Sequence, residues 1–492
     1  MLRTGRYRWL ARLALRPALA ALYLGAWGLM GLLNVGPTDL DAFFWPAARI
    51  ALAGDPLGVY RVRFGVLGPF GMPGFPLQGY PDANGPLSLA PLTAVAWLAA
   101  RLGWLDDFTL RRALALAVFA AFALLLSREA LLIVEDALGQ RLRGGWRLAA
   151  LALFALSPEL LRSMLLYGHI EQPILLWLIL AATRTLRQSA GARQGVAPWA
   201  AARAGALLGL ALLTRSTALL ALTPLALMLL RHPSLDVGKR RPQWRPAVIF
   251  VAMAGLVAAL GLAPFWWADR ADLTYSLVTA HTLIPVGGGT FWGLWVLAHG
   301  QSLGLAISAL GMRDDTWVVV GLATLLSVVA LLTRRDLTIR SREVYALLAL
   351  CSLCFPLFDK TLWPYYFLEP YTFVALWWLL GLPQIAGVAR QMPDEQTEAR
   401  NTTPAKTPIA RPTETQADAM ARWRLGAALP AGVVLAAALD EYLLGMEGAG
   451  PWPLLWTALM FGGMLGVTLA LGHAVWGWTA RTQPTRGPVQ RE

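Results

Sequence analysis

The sequence predicts an all-α integral membrane protein of about twelve transmembrane helices, with juxtamembrane helices in a large first exoplasmic loop. Three observations carry this expectation. Apolar runs of about 20 residues recur from end to end, the length a helix needs to cross a hydrocarbon core about 30 Å thick. The 492-residue chain is 57% hydrophobic and only 14% charged, against about 25% in soluble domains. Its basic residues fall in short clusters between the apolar runs, as cytoplasmic loops do. A net charge of +13 dispersed in this way fits lipid headgroups rather than nucleic acid.

The opening "MLRTGRYRWLARLALR" is basic and leads into an apolar stretch ending at Leu33. No small-residue cleavage site follows, so it predicts an uncleaved first span at 14–34 with a cytoplasmic start. Further spans are predicted at 110–130, 147–166, 172–186, 203–230, 247–266, 315–333, 343–357, 364–382, 424–443 and 453–478. The run 203–230 carries Arg215 near its middle. A lipid-facing arginine at mid-bilayer costs about 2.5–3.5 kcal/mol on the insertion scale. A tight hairpin of two shortened helices turning at Arg215 removes that cost and brings the number of spans to twelve.

With the N-terminus inside, the cytoplasmic segments are 1–16, 128–147, 184–203, 231–245, 334–342, 385–424 and 479–492, which hold 31 of the 42 Lys and Arg. Both termini are then cytoplasmic, in a bacterial-type plasma membrane. The apolar stretch 85–105 is long enough to cross, but crossing would move the arginine-rich 128–147 loop outside. It is placed as a juxtamembrane or re-entrant helix in the outer leaflet.

These assignments divide the chain into a transmembrane core at 1–384, a disordered cytoplasmic linker at 385–422 and a two-helix addition at 423–492. The core has large exoplasmic loops at 35–108 and 267–314. Linker composition, Pro- and Thr-rich with few apolar residues, cannot bury enough surface to fold. Cys351 and Cys354, in "CSLC" within an apolar run, read as packing residues. "GALLG" at 205–209 reads as a small-residue helix contact.

Four stretches converge on the exoplasmic face in this topology. The first is "TDLDAFF", with Asp39 and Asp41, and the loop behind it containing Arg61, Arg63, Tyr80 and Asp82. The second is "LLYGHIEQP", with His169, Glu171 and Gln172. The third is Arg215. The fourth is "FDKTLWPYYFLEPY", with Lys360, Tyr365 and Tyr366. A carboxylate can take a proton from an attacking hydroxyl, cations can stabilise charge growing on a phosphate leaving group, and aromatic faces suit sugar rings. A lipid-phosphate sugar donor, anchored by about 0.8 kcal/mol per buried methylene, wants these groups at a bilayer surface. Asp39 and Asp41 share a side on an extended linker and diverge by about 200° on a helix. One of the two faces the reacting centre; Asp39 is the first candidate and Asp41 the second.

At these residues the chain resembles the GT-C superfamily of polytopic glycosyltransferases, and among them the bacterial polyprenyl-phosphate mannosyltransferases. The resemblance is carried by "DLDAFFWPAARIALAGDPLGVY", similar to the family's Asp-Leu-x-x-Tyr opening and Gly-x-x-x-Tyr tail, then by "GYPDANGPLSLAPLTAVAWL", "LLYGHIEQPILLWLIL", "AGALLGLALLTRSTALLALTPLAL" and "YYFLEP". It covers about residues 1–385. Phe43 stands where Tyr is usual, "YPDANGP" interrupts a Tyr-Pro-Pro pattern, and Arg215 occupies a position more often lysine.

The resemblance implies inverting transfer of a hexose, such as mannose, from a polyprenyl-phosphate donor to a glycan or glycolipid acceptor hydroxyl of the cell envelope. It implies a first-loop aspartate as the base and no obligatory cofactor or protein-held metal. The rival reading is a transporter or flippase of lipid-linked sugars. Transporters place ionisable groups at mid-bilayer within paired repeats; here no internal repeat is evident and the acids gather at one face.

Overall fold

The computed structural model describes residues 17–33, 38–62, 84–142, 144–190, 195–231, 244–280, 286–301, 303, 316–334, 337–360, 364–386 and 453–476. Arg63, Tyr80, Asp82, the 385–422 linker beyond Ala386 and the predicted span 424–443 lie outside them. Every regular element among the described residues is helical.

α1 (Pro17–Leu33) packs along α4 (Phe108–Leu138). Between them, a π-helical turn (Leu40–Phe44) runs straight into α2 (Trp45–Leu52), followed by a 3₁₀ turn (Gly58–Arg61). The apolar stretch at 85–105 forms α3 (Pro86–Arg101), which packs on α2 and α4.

α4 outruns its predicted span 110–130 by eight residues and ends at Gly139, whose φ of +66° caps the helix left-handedly. Hydropathy ends a span at the first charges, but here the charges are paired and the helix continues. Glu129 meets Arg184 at 2.6 Å and Glu135 meets Arg147 at 3.4 Å. The next predicted span, 147–166, is segmented. α5 (Gly144–Ala155) stops where Ser157 caps a new start by accepting from the Leu160 amide. Pro158 occupies the first turn of α6 (Pro158–Leu161), which continues as a π-helical turn (Arg162–Leu166).

α7 (Gln172–Ser189) follows the turn that carries His169 and packs on α4. α8 (Pro198–Leu212) and α9 (Leu219–Arg231) are separate helices, broken at Arg215, whose backbone is extended (φ −156°, ψ 143°). The break falls where the charge predicted it, but the two helices do not lie side by side as a tight hairpin. α8 packs between α7 and α10 (Trp244–Ala268), while α9 packs on α10, α13 (Thr316–Thr333) and α14 (Glu343–Phe358). Gly205 and Gly209 let α8 approach the α10 backbone at Phe250 and Ala254 so closely that a Cβ on either would collide with a carbonyl oxygen. α8 and α10 run parallel, Gly205 beside Phe250 and Leu213 beside Gly261.

α11 (Arg270–Thr274) and α12 (Phe291–Ala298) lie in the second predicted exoplasmic loop. α14 is apolar on all sides and buried almost throughout, as a helix at the centre of a bundle should be. It contacts α9, α13, α15 (Leu368–Ala386) and α16 (Pro453–Trp476). Cys351 and Cys354 are free and buried within it. α16, from the predicted C-terminal addition, also packs on α12.

Four described helical stretches are long and apolar enough to cross a membrane: Phe108–Leu138, Trp146–Leu166, Trp244–Ala268 and Thr316–Thr333. Shorter apolar helices occupy other predicted spans, among them Pro198–Leu212, Ser216–Leu230 and Glu343–Phe358.

Candidate functional site

Five chain segments meet at one end of the bundle, and hydrogen bonds register them. The Asp39 amide donates to the Tyr167 carbonyl at 3.0 Å, joining the α1–α2 link to the turn before α7. Gly85 and Leu87 amides donate to Thr214 and Leu213 carbonyls at 3.0 and 2.9 Å, joining the start of α3 to the α8–α9 break. The Gln172 side chain donates to the Tyr365 carbonyl at 3.0 Å and accepts from Ser163 at 2.6 Å, fixing the α14–α15 link to α7.

Gly168 makes the first junction possible. Its φ is +75°, and a Cβ there would sit 2.5 Å from Thr38 Oγ1 and 2.7 Å from the Leu40 amide nitrogen. Only glycine offers this backbone conformation at no steric cost together with this close approach.

The helical start at Asp39 (φ −58°, ψ −28°) sends the two aspartates apart. Asp41 turns inward. Its side chain is 7% exposed, meets Arg112 at 2.5 Å and Arg111 at 3.6 Å, and accepts from the Thr38 amide and hydroxyl. Arg112, itself buried, stacks on Phe108 at 4.3 Å. A charge pair removed from water needs this degree of satisfaction to persist, and Asp41 has it. Asp39 turns outward: its side chain is 38% exposed and its Oδ2 lies 3.0 Å from His169 Nε2. That contact is an ion-pair approach, off the line of a well-aligned hydrogen bond.

From His169 a buried relay runs inward. His169 Nδ1 is 2.7 Å from Glu171 Oε1, and the same oxygen is 3.3 Å from Arg215 Nη1. The Tyr365 ring lies on the imidazole with centroids 3.7 Å apart. The Arg215 guanidinium sits 5.3 Å from the ring centroids of both Tyr365 and Tyr366, in cation–π range. Burial by itself would lower the pKa of His169. The Glu171 carboxylate and then Asp39 outweigh burial and lift it to about 9, so the ring is an imidazolium at neutral pH. Burial would raise Glu171, but His169 and Arg215 hold it below the ordinary glutamate range. Asp39, His169, Glu171 and Arg215 therefore alternate in sign along one chain of contacts.

The remaining predicted residues lie elsewhere or outside the described residues. Arg61 pairs with Asp55 at 2.8 Å and Asp269 at 3.5 Å, linking the two large predicted exoplasmic loops rather than joining the relay. Lys360 is buried with its Nζ 3.5 Å from Asp359, and its carbonyl accepts from Gly287; the contacts from Asp39 to Arg215 do not pass through it. Among the described residues, no three His, Cys, Asp or Glu side chains gather in a metal-holding group.

Two contributors were not singled out in the sequence. Glu369, buried at the start of α15, accepts from Thr217 at 2.8 Å beside Arg215. An acid opening an apolar run was the available signal. Arg112 gave a weaker one: a basic residue near the start of a helix opposes the helix dipole, and Asp41 beside it offsets that.

No family model matches the chain, and no curated protein matches it. Among solved structures it is similar to the crystal structure of ArnT from Cupriavidus metallidurans bound to undecaprenyl phosphate. The similarity covers 96% of this chain and 79% of that one, at 14% sequence identity and a TM-score of 0.45.

Proposed function

We propose that the chain is an inverting glycosyltransferase that takes a hexose from a polyprenyl-phosphate donor and passes it to a glycan or glycolipid hydroxyl on the exoplasmic face. The observation that carries this reading is the half-exposed Asp39 carboxylate, held from behind by the buried His169–Glu171–Arg215 relay.

The chemistry assigned to each group follows from its position. Asp39 takes the proton of the acceptor hydroxyl as its oxygen bonds to the anomeric carbon. The glycosidic bond to phosphate breaks on the opposite face, and the phosphate leaves with its electron pair. His169, as an imidazolium, orients Asp39 by Coulomb attraction and does not itself accept the proton. Arg215 faces the leaving phosphate, where a planar guanidinium can engage two oxygens at once. Tyr366, part-exposed beside Arg215, gives the sugar a flat apolar face, while the Tyr365 ring packs on His169. No step is assigned to a metal or a cofactor.

The test is Asp39→Asn in proteoliposomes supplied with a polyprenyl-phosphate hexose. Removing a general base costs roughly 100- to 10,000-fold in rate, so transfer should fall by at least about 100-fold with donor binding unchanged. Wild-type turnover in the variant would remove Asp39 from the mechanism. Sugar crossing the bilayer without consumption of the donor would mark a flippase instead.

A further inference from the structure

A second polar site lies at the opposite end of the bundle. α7 starts at Gln172 beside the relay and ends at Ser189. At 1.5 Å per residue its far end is about 27 Å away. There, a cavity of about 700 Å³ opens between the last turns of α4 and α7, the start of α14 and Leu380 of α15.

The charges around this cavity do not cancel. Of its acids, Glu343 is paired with Arg342 at 3.1 Å. Asp136 accepts from Gln188 at 2.7 Å and lies 3.9 Å from Arg184. Arg187 lines the cavity with no acid in ion-pair range among the described residues. Its guanidinium donates to the Ile339 and Ser341 carbonyls at 3.3 and 3.1 Å and rests over Tyr345. Arg340 also lines the cavity, is exposed, and makes no ion pair among the described residues. With Arg187, Arg340 and Arg342 set against Asp136 and Glu343, the lining keeps a net positive charge. The N-terminus of α14 borders the opening, with its N-cap Arg342 and first residue Glu343 both in the lining.

Arginine forks match phosphate oxygens bidentately. The setting is that of a membrane interface: Trp146, Trp199 and Trp244, at or near the starts of α5, α8 and α10, are 74%, 66% and 59% exposed, as headgroup-level tryptophans are. This is also the face marked by the arginine-rich 128–147, 184–203 and 334–342 segments. We propose that the cavity binds a phosphate-bearing anion through Arg187 and Arg340, foremost the phosphodiester headgroup of an anionic lipid in the adjacent leaflet.

The test measures ligand retention by the full-length protein, using phosphatidylglycerol and phosphatidylcholine in mixed nanodiscs followed by native mass spectrometry, and inorganic phosphate in a thermal-shift assay. A basic residue near an anionic surface is worth about 1 kcal/mol, about fivefold in occupancy. Arg340→Ala should lower phosphatidylglycerol retention about fivefold. Asp136→Asn, which removes an acid but keeps the contact with Gln188, should raise retention by about the same factor, a change that misfolding does not mimic. Phosphatidylglycerol responding in both variants identifies a lipid headgroup. A response to inorganic phosphate alone, with the same variant signs, identifies a soluble phosphate. Equal retention in wild type and both variants, or no preference over phosphatidylcholine together with no effect of phosphate, overturns the site.

Discussion

Asp39 Oδ2 lies 3.0 Å from His169 Nε2, across a junction that Gly168 holds closed. The contact joins an exposed carboxylate on the α1–α2 link to a buried imidazole 130 positions later, and it separates the roles of two aspartates that stand two residues apart. Each consequence can be measured.

Asp41→Asn should unfold the protein rather than silence it. Arg112 is 1% exposed, and removing the charge of one partner from such a buried pair costs about 3–5 kcal/mol. The expected outcome is a large drop in thermal stability in detergent, whereas Asp39→Asn melts close to wild type. Equal melting of the two variants would contradict the inward placement of Asp41.

Stability should fall on the alkaline side. The folded pKa of His169 is raised from 6.5 to about 9. Its contribution is therefore fully present below about pH 6.5 and is lost as pH rises through 9. A melting-temperature profile from pH 6 to 10 should decline over that window in wild type and flatten in His169→Gln. An unchanged slope in the variant would show that another group carries the dependence.

Arg215→Lys keeps the charge but loses the planar fork and its cation–π contacts with Tyr365 and Tyr366. Charge-assisted hydrogen bonds contribute about 1.5–3 kcal/mol. Under the proposed function, KM for the polyprenyl-phosphate donor should rise about 10- to 100-fold in the lysine variant, with kcat less affected. A donor KM equal to wild type would separate Arg215 from the phosphate.

Gly168→Ala adds one methyl group with no charge change. At φ +75° the backbone itself is strained by about 1–3 kcal/mol, and the new Cβ would push on Thr38 and Leu40. Transfer should fall further than the loss of stability explains, because Asp39 is displaced from His169. A control, Gly54→Ala, also has positive φ but open space around it, and should cost stability only.

Much of the fold was legible in the chain because the signals are local. Apolar length marked the long apolar helices, and Arg215 marked the break between α8 and α9, since an isolated charge is costly in hydrocarbon; the break at Ser157 inside the predicted span 147–166 was not read. "GALLG" announced a close helix contact before α10 could be named as its partner. Helix ends were harder. α4 continued past its first charges because Arg184 and Arg147, distant in sequence, neutralise Glu129 and Glu135.

The sequence by itself determined a helical membrane chain, the arginine asymmetry of its loops and the short list of polar residues from which a site could be built. Only the tertiary structure decided their arrangement. It turned Asp41 toward Arg112 and Asp39 toward His169, left Arg61 and Lys360 out of the relay, and added Glu369. The reason is physical: a helical start at Asp39 points neighbouring carboxylates to opposite sides, and the partners they meet, Arg112 on α4 and His169 on the turn before α7, lie 71 and 130 positions further along the chain.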